Sequence, residues 1–355
     1  MKYNLLASVM RVQTSSYKTE RMSAFIIKHL HKHKLGFTKD KYGNIYVTKG
    51  HADLYPTMVC HIDTVHGIND NVRVMKSGDK MFTIDSTNCH RIGIGGDDKV
   101  GIYITLQCLE KFDNFKAVFF LDEEVGCKGS SQADFEFFDD STIVLECDRR
   151  GYGDFVNNIS GIKLCDDTLI DDIQSILTNY KYKTCNGGIT DVGEIAENTK
   201  VQVANMSCGY YEPHTDDEYI VISEVELVYK MCVEILTITD GKAYRIEDDR
   251  ISYTGYGGYG GYDWNYGWNG HNRKIGSYNN GFGTAAYTQE EIEEDAFLHP
   301  ISETCNHCCF DQLIYDEYED SYYCNNCQMY LTEQDVDKIY NSFEEYENNN
   351  KNNSQ

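Results

Sequence analysis

The order of apolar and polar residues predicts a regular N-terminal part built from strands and helices. Near-continuous apolar runs at 55–63, 116–124 and 141–148 are typical of strands buried on both faces of a parallel sheet. Shorter strands are predicted at 43–50 and 201–211, where apolar residues lead into a turn that contains glycine. These runs therefore predict a largely parallel central sheet.

Helical periodicity, with apolar residues three and four positions apart, fills the segments between several of these strands. It predicts helices at 20–33, 98–112, 166–180 and 223–239. The last of them starts with Ser223-x-x-Glu226, the pattern of a capping box. Because strands and helices alternate, we predict one α/β domain over residues 1–248, with a mostly parallel central sheet flanked by helices.

The composition changes at about residue 249. Residues 249–297 are rich in Gly, Tyr and Asn and have no helix or strand period, so they are predicted to be a low-complexity linker. A small zinc ribbon is predicted at 298–335, followed by a polar tail at 336–355. The ribbon prediction rests on two Cys-x2-Cys pairs separated by fifteen residues, the spacing of a structural tetrathiolate zinc site: Cys305, Cys308, Cys324 and Cys327.

Charge and cysteine usage narrow the class of partner and the compartment. The net charge of −25 disfavours nucleic acid and anionic membranes as main partners, since phosphate binding needs basic faces. No apolar run approaches the roughly 20 residues of a membrane span. Nine cysteines are scattered from 60 to 232 and read as reduced core thiols, which indicates a cytoplasmic protein. The acidic ribbon and the linker are candidate docking segments for a protein partner.

Acids and histidines follow the predicted strands at the positions where those strands end. Because the carboxyl ends of parallel strands share one edge of a sheet, we expect these side chains to converge there. Histidine nitrogen and carboxylate oxygen suit two divalent cations, with zinc favoured and cobalt or manganese as alternatives. The converging residues are His61 and Asp63, Asp97 and Asp98, Glu123 and Glu124, Asp148, and His214.

The motifs "HIDT", "GGDDKVG" and "LDEEVG", with a lone Asp at a strand end and a late His, resemble the co-catalytic di-zinc exopeptidases, the superfamily of peptidase T, carnosinase and the zinc aminopeptidases. The resemblance covers about residues 5–240. It implies that His61 and Asp148 bind one zinc, that Glu124 and His214 bind the other, and that Asp97 bridges them. It also implies that Glu123 is the general base and that Asp63 fixes the tautomer of His61.

The resemblance implies an exopeptidase of aminopeptidase or dipeptidase type that acts on a peptide or a small amide. Only 33 residues (64–96) separate Asp63 from Asp97, and 65 (149–213) separate Asp148 from His214, so neither insert of the larger relatives fits. We therefore expect a single compact catalytic domain without a lid. An amidohydrolase or deacylase on the same scaffold is one alternative, and a non-catalytic adaptor that uses the ribbon and linker is another.

Several assignments remain open from the sequence. Glu146 competes with Asp148 as a ligand, and Asp98 competes with Asp97 as the bridge, although a role as helix cap is favoured for Asp98. Arg149 and Arg150 either bind a substrate carboxylate or neutralise the acids beside them. Other candidates have both a site role and a structural one: Asp191 faces the site or caps a helix, Tyr210 and Tyr211 bind an oxyanion or pack, and His66 and His90 are expected at the surface.

Overall fold

The structure is a computed structural model that describes residues 2–246 and, further along the chain, three short strands between 313 and 330. The helices within 2–246 are α1 (Tyr3–Arg11), α2 (Glu20–Lys32), α3 (Gly96–Lys111), α4 (Asp167–Asn179), α5 (Asp191–Asn198) and α6 (Ile222–Ile238). The strands there are β1 (Thr38–Lys39), β2 (Ile45–Lys49), β3 (Tyr55–His61), β4 (Val72–Ser77), β5 (Lys80–Asp85), β6 (Arg91–Ile92), β7 (Phe115–Phe120), β8 (Ser141–Arg149), β9 (Asp154–Ile159), β10 (Ile162–Lys163), β11 (Lys183–Gly187), β12 (Val203–Ser207), β13 (Tyr210–Tyr211) and β14 (Tyr219–Val221).

A nine-stranded sheet forms the centre of this part, in the order β1-β2-β7-β3-β8-β12-β9-β10 with β11 beside β9. Its middle strands β7, β3, β8 and β12 are mutually parallel, and β2 and β9 join them antiparallel at the two sides. Every residue of β3 and β7 is buried, as the near-continuous apolar runs predict. The predicted α/β class with a mostly parallel central sheet is confirmed.

Side chains of the central strands alternate between two hydrophobic cores. On β3, Met58 and Cys60 pack with one core, while Val59 between them packs with the other. The first core also contains buried residues of α1, α2, α3, α4 and α6, and the second contains those of α5. The sheet is therefore covered by helices on both faces, and its strand ends are the positions where polar side chains can meet a ligand.

A second, five-stranded antiparallel sheet was not predicted. It has the order β13-β14-β5-β4, with β6 paired to β5. Strands β4, β5 and β6 account for much of the segment between Asp63 and Asp97 that the sequence left without predicted elements. Strands β13 and β14 lie on either side of His214 in the chain, so this small sheet supports the loop that carries the late histidine.

The capping box predicted for α6 is wrong. Val221 is the N-cap residue and makes no side-chain cap. Instead Asp79, from the turn between β4 and β5, accepts a hydrogen bond of 3.0 Å from the backbone N of Ser223 and another from its hydroxyl. The small sheet thus supplies the carboxylate that satisfies the first turn of this helix.

The three C-terminal strands, β15 (Leu313–Asp316), β16 (Ser321–Cys324) and β17 (Met329–Tyr330), pair antiparallel in that order. They fall within the segment predicted to be a zinc ribbon. The side chains of Cys305, Cys308, Cys324 and Cys327, the predicted linker and the predicted tail lie outside the described residues.

Two further predictions concern the described part alone. The nine cysteines between 60 and 232 are all free thiols there, seven of them buried, which confirms that they form no disulfides. Among the described helices, none combines the length and the apolar character that crossing a bilayer requires.

Candidate metal centre

The predicted site residues meet at the carboxyl ends of the parallel strands. His61 is the last residue of β3, Glu123 and Glu124 follow β7, and Asp148 is the next-to-last residue of β8. Because β7, β3 and β8 are neighbours in the sheet, these side chains reach the same edge. Asp97 joins them from the start of α3, and His214 from the loop between β13 and β14.

Asp97 contacts both histidines with different oxygens. Its Oδ1 lies 3.1 Å from Nε2 of His61, and its Oδ2 lies 3.3 Å from Nε2 of His214. Burial raises the pKa of Asp97, but the contacts with the two histidines outweigh it and lower the pKa below its ordinary value. The carboxylate therefore stands between the two imidazoles as an ionised bridge.

Glycines shape the turn that carries Asp97. Gly95 has a φ of +66°, a left-handed conformation that other residues adopt only with strain. A Cβ at Gly96 would lie 2.8 Å from Cβ of Tyr210, so the close approach of this turn to β13 requires glycine. One residue after Asp97, Asp98 is fully buried and accepts a hydrogen bond from the backbone N of Gly101, as a helix cap does.

Glu124 and Asp148 lie on opposite sides of Asp97. Oε2 of Glu124 is 3.1 Å from Nε2 of His214, and Oδ1 of Asp148 is 3.8 Å from Nε2 of His61. The rival Glu146 is fully buried, and its carboxylate accepts a hydrogen bond from the hydroxyl of Thr190. Glu146 does not line the cavity at this edge, whereas Asp148 does.

Glu123 points into the same group without a close contact to either histidine. Its Oε2 is 4.0 Å from Nε2 of His61. Burial raises the pKa of Glu123 to about 9, and the negative charge of Asp148 also raises it. Glu123 is adjacent to the ligand candidates but set back from them, and this position, with its side chain lining the cavity, is the placement of a proton acceptor.

Asp63 contacts both His61 and the turn that carries Glu123 and Glu124. Its Oδ1 is 3.4 Å from Nδ1 of His61, whose Nδ1 also lies 3.0 Å from the backbone O of Asp63. The same carboxylate accepts hydrogen bonds from the backbone N atoms of Glu123 and Glu124, at 3.0 and 3.4 Å, and from the hydroxyl of Ser16. Asp63 therefore orients His61 and fixes the turn that carries both acids.

Two further supporting residues, Glu218 and Asn205, were not predicted from the sequence. Glu218 is fully buried and accepts hydrogen bonds from the backbone N of Gly95 at 2.8 Å and of Asp97 at 3.1 Å. Asn205 exchanges two hydrogen bonds with the backbone of Asp148, at 2.9 and 2.7 Å. Asn205 lies within β12 and Glu218 lies four residues after His214, and each meets its backbone partner only because the fold brings two separate segments of the chain together.

His66 corrects one prediction. It was expected at the surface without a partner, but its Nε2 lies 2.7 Å from Oε2 of Glu218 and its side chain is 17% exposed. The imidazole thus anchors the carboxylate that supports the turn of Asp97. His90 is exposed, as expected.

The candidate substrate-binding residues differ in their placement. Arg149 and Arg150 both line the cavity, although Nε of Arg149 donates a 2.9 Å hydrogen bond to Asp154. Tyr210 also lines it, but its hydroxyl donates to Oδ1 of Asp148 at 3.1 Å and so orients a ligand candidate. Burial raises the pKa of Tyr210, which keeps this hydroxyl a donor.

Two candidates do not reach the cavity as expected. Tyr211 stacks on Tyr219 and donates its hydroxyl to Glu224 at 2.7 Å, so it is not available to an oxyanion. Asp191 is fully buried and accepts a hydrogen bond from the hydroxyl of Ser130; its side chain makes no helix cap, and it does not line the cavity. Both are supporting residues beside or beneath the site.

The cavity in front of these groups has a volume of about 240 Å³. Asp97, Glu123, Glu124, Asp148 and His214 form its polar wall. The cavity is also lined by the glycine pair 187–188, Ile189 and Val156. A small, partly apolar chamber therefore opens directly onto the converged acids and imidazole.

The donor set fits divalent cations. Burial raises the pKa of Asp148 to about 7, and the negative charge of Asp97 adds to the effect. Asp97 and Glu124 raise the pKa of His214 to about 10, so this group of acids favours positive charge beside it. Within the described residues, the buried Oε1 of Glu124 accepts no hydrogen bond. The separations of 3.1–3.3 Å between nitrogen and oxygen match the roughly 3.3 Å expected between tetrahedral zinc ligands bound at about 2.0–2.1 Å.

Comparison with solved structures shows where this fold occurs. Aminopeptidase PepT from Bacillus cereus matches with a TM-score of 0.58 and 12% identity, over 67% of this chain and 99% of that one. A tripeptidase from Staphylococcus aureus matches with a TM-score of 0.56 and 14% identity, over 67% and 97%. An aminopeptidase from the archaeon Desulfurococcus kamchatkensis matches with a TM-score of 0.51 and 14% identity, over 68% and 96%.

No family model and no curated protein matches the chain. At identities of 12–14%, the structural matches establish a shared fold and carry no activity across by themselves. The predicted exopeptidase-like fold is confirmed at that level.

Proposed function

We propose that this protein is a metal-dependent exopeptidase that removes a residue from a short peptide. The observation that carries the proposal is the position of Asp97, whose two oxygens face His61 and His214 at 3.1 and 3.3 Å. A carboxylate shared by two imidazoles, with further acids on each side, is the donor arrangement of a two-cation hydrolase. His61, Asp97 and Asp148 would hold one cation, and Asp97, Glu124 and His214 the other.

Bound divalent cations would supply polarisation of the substrate carbonyl and acidification of the attacking water. Glu123 takes the proton from that water and returns it to the amine that leaves. Asp63 keeps Glu123 in place through the hydrogen bond from its backbone N, and keeps His61 in one orientation through contacts at Nδ1.

Cavity size and chemistry favour a small substrate. About 240 Å³ is below the roughly 300–1,000 Å³ of pockets for drug-sized ligands, so a short peptide fits better than a long chain. Arg150 lines the cavity and is exposed, so it can meet a substrate carboxylate, while the acids that line the same cavity suit a substrate amine. Ile189 and Val156 offer an apolar surface for a side chain.

The proposal is tested with the purified full chain, stripped by a chelator and reconstituted with zinc, cobalt or manganese. Dipeptides and tripeptides with free or blocked ends are the substrates. We expect hydrolysis of peptides with a free end, loss of activity after chelation and recovery on adding metal. Glu123→Gln should lower kcat by about 10²–10⁴-fold and leave the metal content unchanged.

Glu136→Gln, an exposed Glu outside the site, is the matched control and should behave as wild type. If the wild-type chain binds the metals but hydrolyses no peptide or small amide, the enzymatic proposal fails. If Glu123→Gln retains the wild-type rate, the assignment of the proton acceptor fails and the metal site stands.

A further inference from the structure

A second group of histidine and carboxylate side chains lies at the other end of α3. It consists of His29 on α2, His33 directly after α2, and Glu110 near the last residue of α3. Glu110 is 13 residues after Asp97, a helical distance of roughly 20 Å. This helix-end cluster is therefore separate from the metal centre at the sheet edge.

The three side chains point to one place. His29 and His33 are four positions apart, on the same side of the helical turn, and their rings stack with centroids 4.6 Å apart. Nε2 of His29 lies 3.3 Å from Oε1 of Glu110, and Nε2 of His33 lies 3.7 Å from the same oxygen. One ligand atom from each residue lies within 4.8 Å of the others.

The surroundings of Nε2 of His29 are a second, independent indication of a bound ion. The side chain is 10% exposed, and among the described residues this buried atom makes no hydrogen bond despite the oxygen 3.3 Å away. Two ligands of one ion aim at the ion and not at each other, which gives a short separation without hydrogen-bond alignment. The distances are close to the roughly 3.3 Å between tetrahedral ligands at about 2.0–2.1 Å from zinc.

Charges at the cluster favour a cation. Helices α2 and α3 both end near the cluster, so the partial negative charges of two helix C-termini lie close to it. Burial raises the pKa of Glu110, but His29 and Lys2 beside it lower the pKa to about 2, which keeps the carboxylate ionised. Burial and the neighbouring His29 lower the pKa of His33 below its ordinary value.

The lysine charges that oppose a cation at the cluster are those of Lys2 and Lys32. Lys2 forms an ion pair with Oε2 of Glu110, whereas both histidines face Oε1. The two oxygens of Glu110 thus have different partners, and Lys2 does not occupy the side that the imidazoles share.

We propose that His29, His33 and Glu110 form a binding site for a divalent transition-metal cation of the zinc type, with a water as the fourth ligand. Two imidazoles and one carboxylate suit such an ion, whereas calcium and magnesium prefer sites made of oxygen alone. The bound ion would tie α2 to the end of α3.

The test counts zinc ions per chain by equilibrium dialysis and elemental analysis of the full protein. His33→Asn and Glu110→Gln should each bind one zinc fewer than wild type. The matched control is His31→Asn, an exposed histidine on the same helix outside the cluster, which should bind as many ions as wild type. Magnesium binding should be the same in all variants. Equal zinc content in wild type, His33→Asn and Glu110→Gln would overturn the proposal.

A gain of affinity provides the second measurement, which does not depend on removing a ligand. Lys2→Met removes the competing positive charge from Glu110. The zinc isotherm of the cluster in this variant is obtained by subtracting the isotherm of the Lys2→Met/His33→Asn double variant, and that of wild type by subtracting His33→Asn. The Lys2→Met isotherm should show about 3- to 10-fold tighter binding than the wild-type one. An unchanged or weaker isotherm would exclude Glu110 as a ligand. Neither readout uses peptide hydrolysis, so this proposal and the enzymatic one fail separately.

Discussion

The sheet-edge centre and the helix-end cluster use the same side-chain types but differ in how the fold supports them. At the sheet edge, Asp63, Asn205 and Glu218 fix the backbone that carries the ligand candidates. At the helix ends, the cluster rests on two helix termini and one ion pair with Lys2. The sheet-edge residues line a cavity of about 240 Å³, and none of the cluster residues does.

This difference in support distinguishes a site suited to catalysis from a site suited to joining two helices. A reacting centre needs ligands held in one geometry and room for a substrate, and the strand ends provide both. Three ligands at the ends of two helices can hold an ion and join the helices, whereas Glu123, the proposed proton acceptor, lies at the sheet edge. The presence of histidine and carboxylate therefore indicates a metal site, and the surrounding support indicates what the site does.

The largest expected effect comes from the bridging carboxylate. Asp97→Asn keeps the shape but removes the charge that both imidazoles face, so both site ions should be lost and peptide hydrolysis should fall below detection. Glu110→Gln, the corresponding change in the helix-end cluster, should lose one ion and keep the rate within about two-fold. Metal content and kcat are measured on both variants. A rate loss in Glu110→Gln as large as in Asp97→Asn would break the distinction between the two sites.

A substitution at Asp63 tests whether the residues that hold the ligand candidates in place affect the function of the sheet-edge centre. Asp63→Asn leaves every proposed ligand in place but weakens the contact with His61 and the hydrogen bonds from the backbone N atoms of Glu123 and Glu124. We expect kcat or zinc affinity to fall by about 10–100-fold, as is usual for carboxylates that orient metal-binding histidines. Asp53→Asn, at an exposed position, is the control. Wild-type values of both quantities in Asp63→Asn would contradict the supporting role.

The sheet-edge centre was largely predictable because its ligand candidates follow consecutive buried strands. A near-continuous apolar run predicts a parallel strand, and parallel strands end at one edge, so His61, Glu124 and Asp148 could be grouped without coordinates. Glu218 could not be assigned from the same signal, because its place beside Gly95 and Asp97 depends on the unpredicted small sheet. Asp79 at the start of α6 was missed for the same reason.

The helix-end cluster shows a different limit. The helix at 20–33 was predicted, and the spacing of His29 and His33 is visible in it. Glu110, however, is 77 positions beyond His33, and only the tertiary structure, which brings the ends of α2 and α3 near each other, places it beside the two imidazoles. Periodicity gives the face of a helix but not the partner that covers it, so such a site is found only from tertiary structure.

A smaller effect is expected from the support that the sequence did not reveal. Glu218→Gln replaces an acceptor of two backbone N–H groups with an amide that accepts through one oxygen only, which loosens the turn of Asp97. We expect about a ten-fold loss in zinc affinity or kcat, at the lower end for supporting residues. The neighbouring exposed Asp217→Asn serves as control, with less than two-fold change. A loss of less than two-fold in Glu218→Gln would show that other contacts, and not Glu218, hold the turn of Asp97 in place.

The smallest effect on catalysis, and the clearest sign of attachment, is expected from His33→Asn. Zinc at ten times the dissociation constant of the helix-end cluster stabilises the folded chain by about 1.4 kcal/mol. For a domain of this size that free energy corresponds to roughly 3–6 °C in Tm. Zinc should therefore raise the Tm of wild type and of His31→Asn by that much more than the Tm of His33→Asn, while kcat of all three stays within about two-fold. An equal rise in all three would remove the stabilising role of the cluster, because an ion that joins α2 to α3 must favour the state in which the two helices are packed.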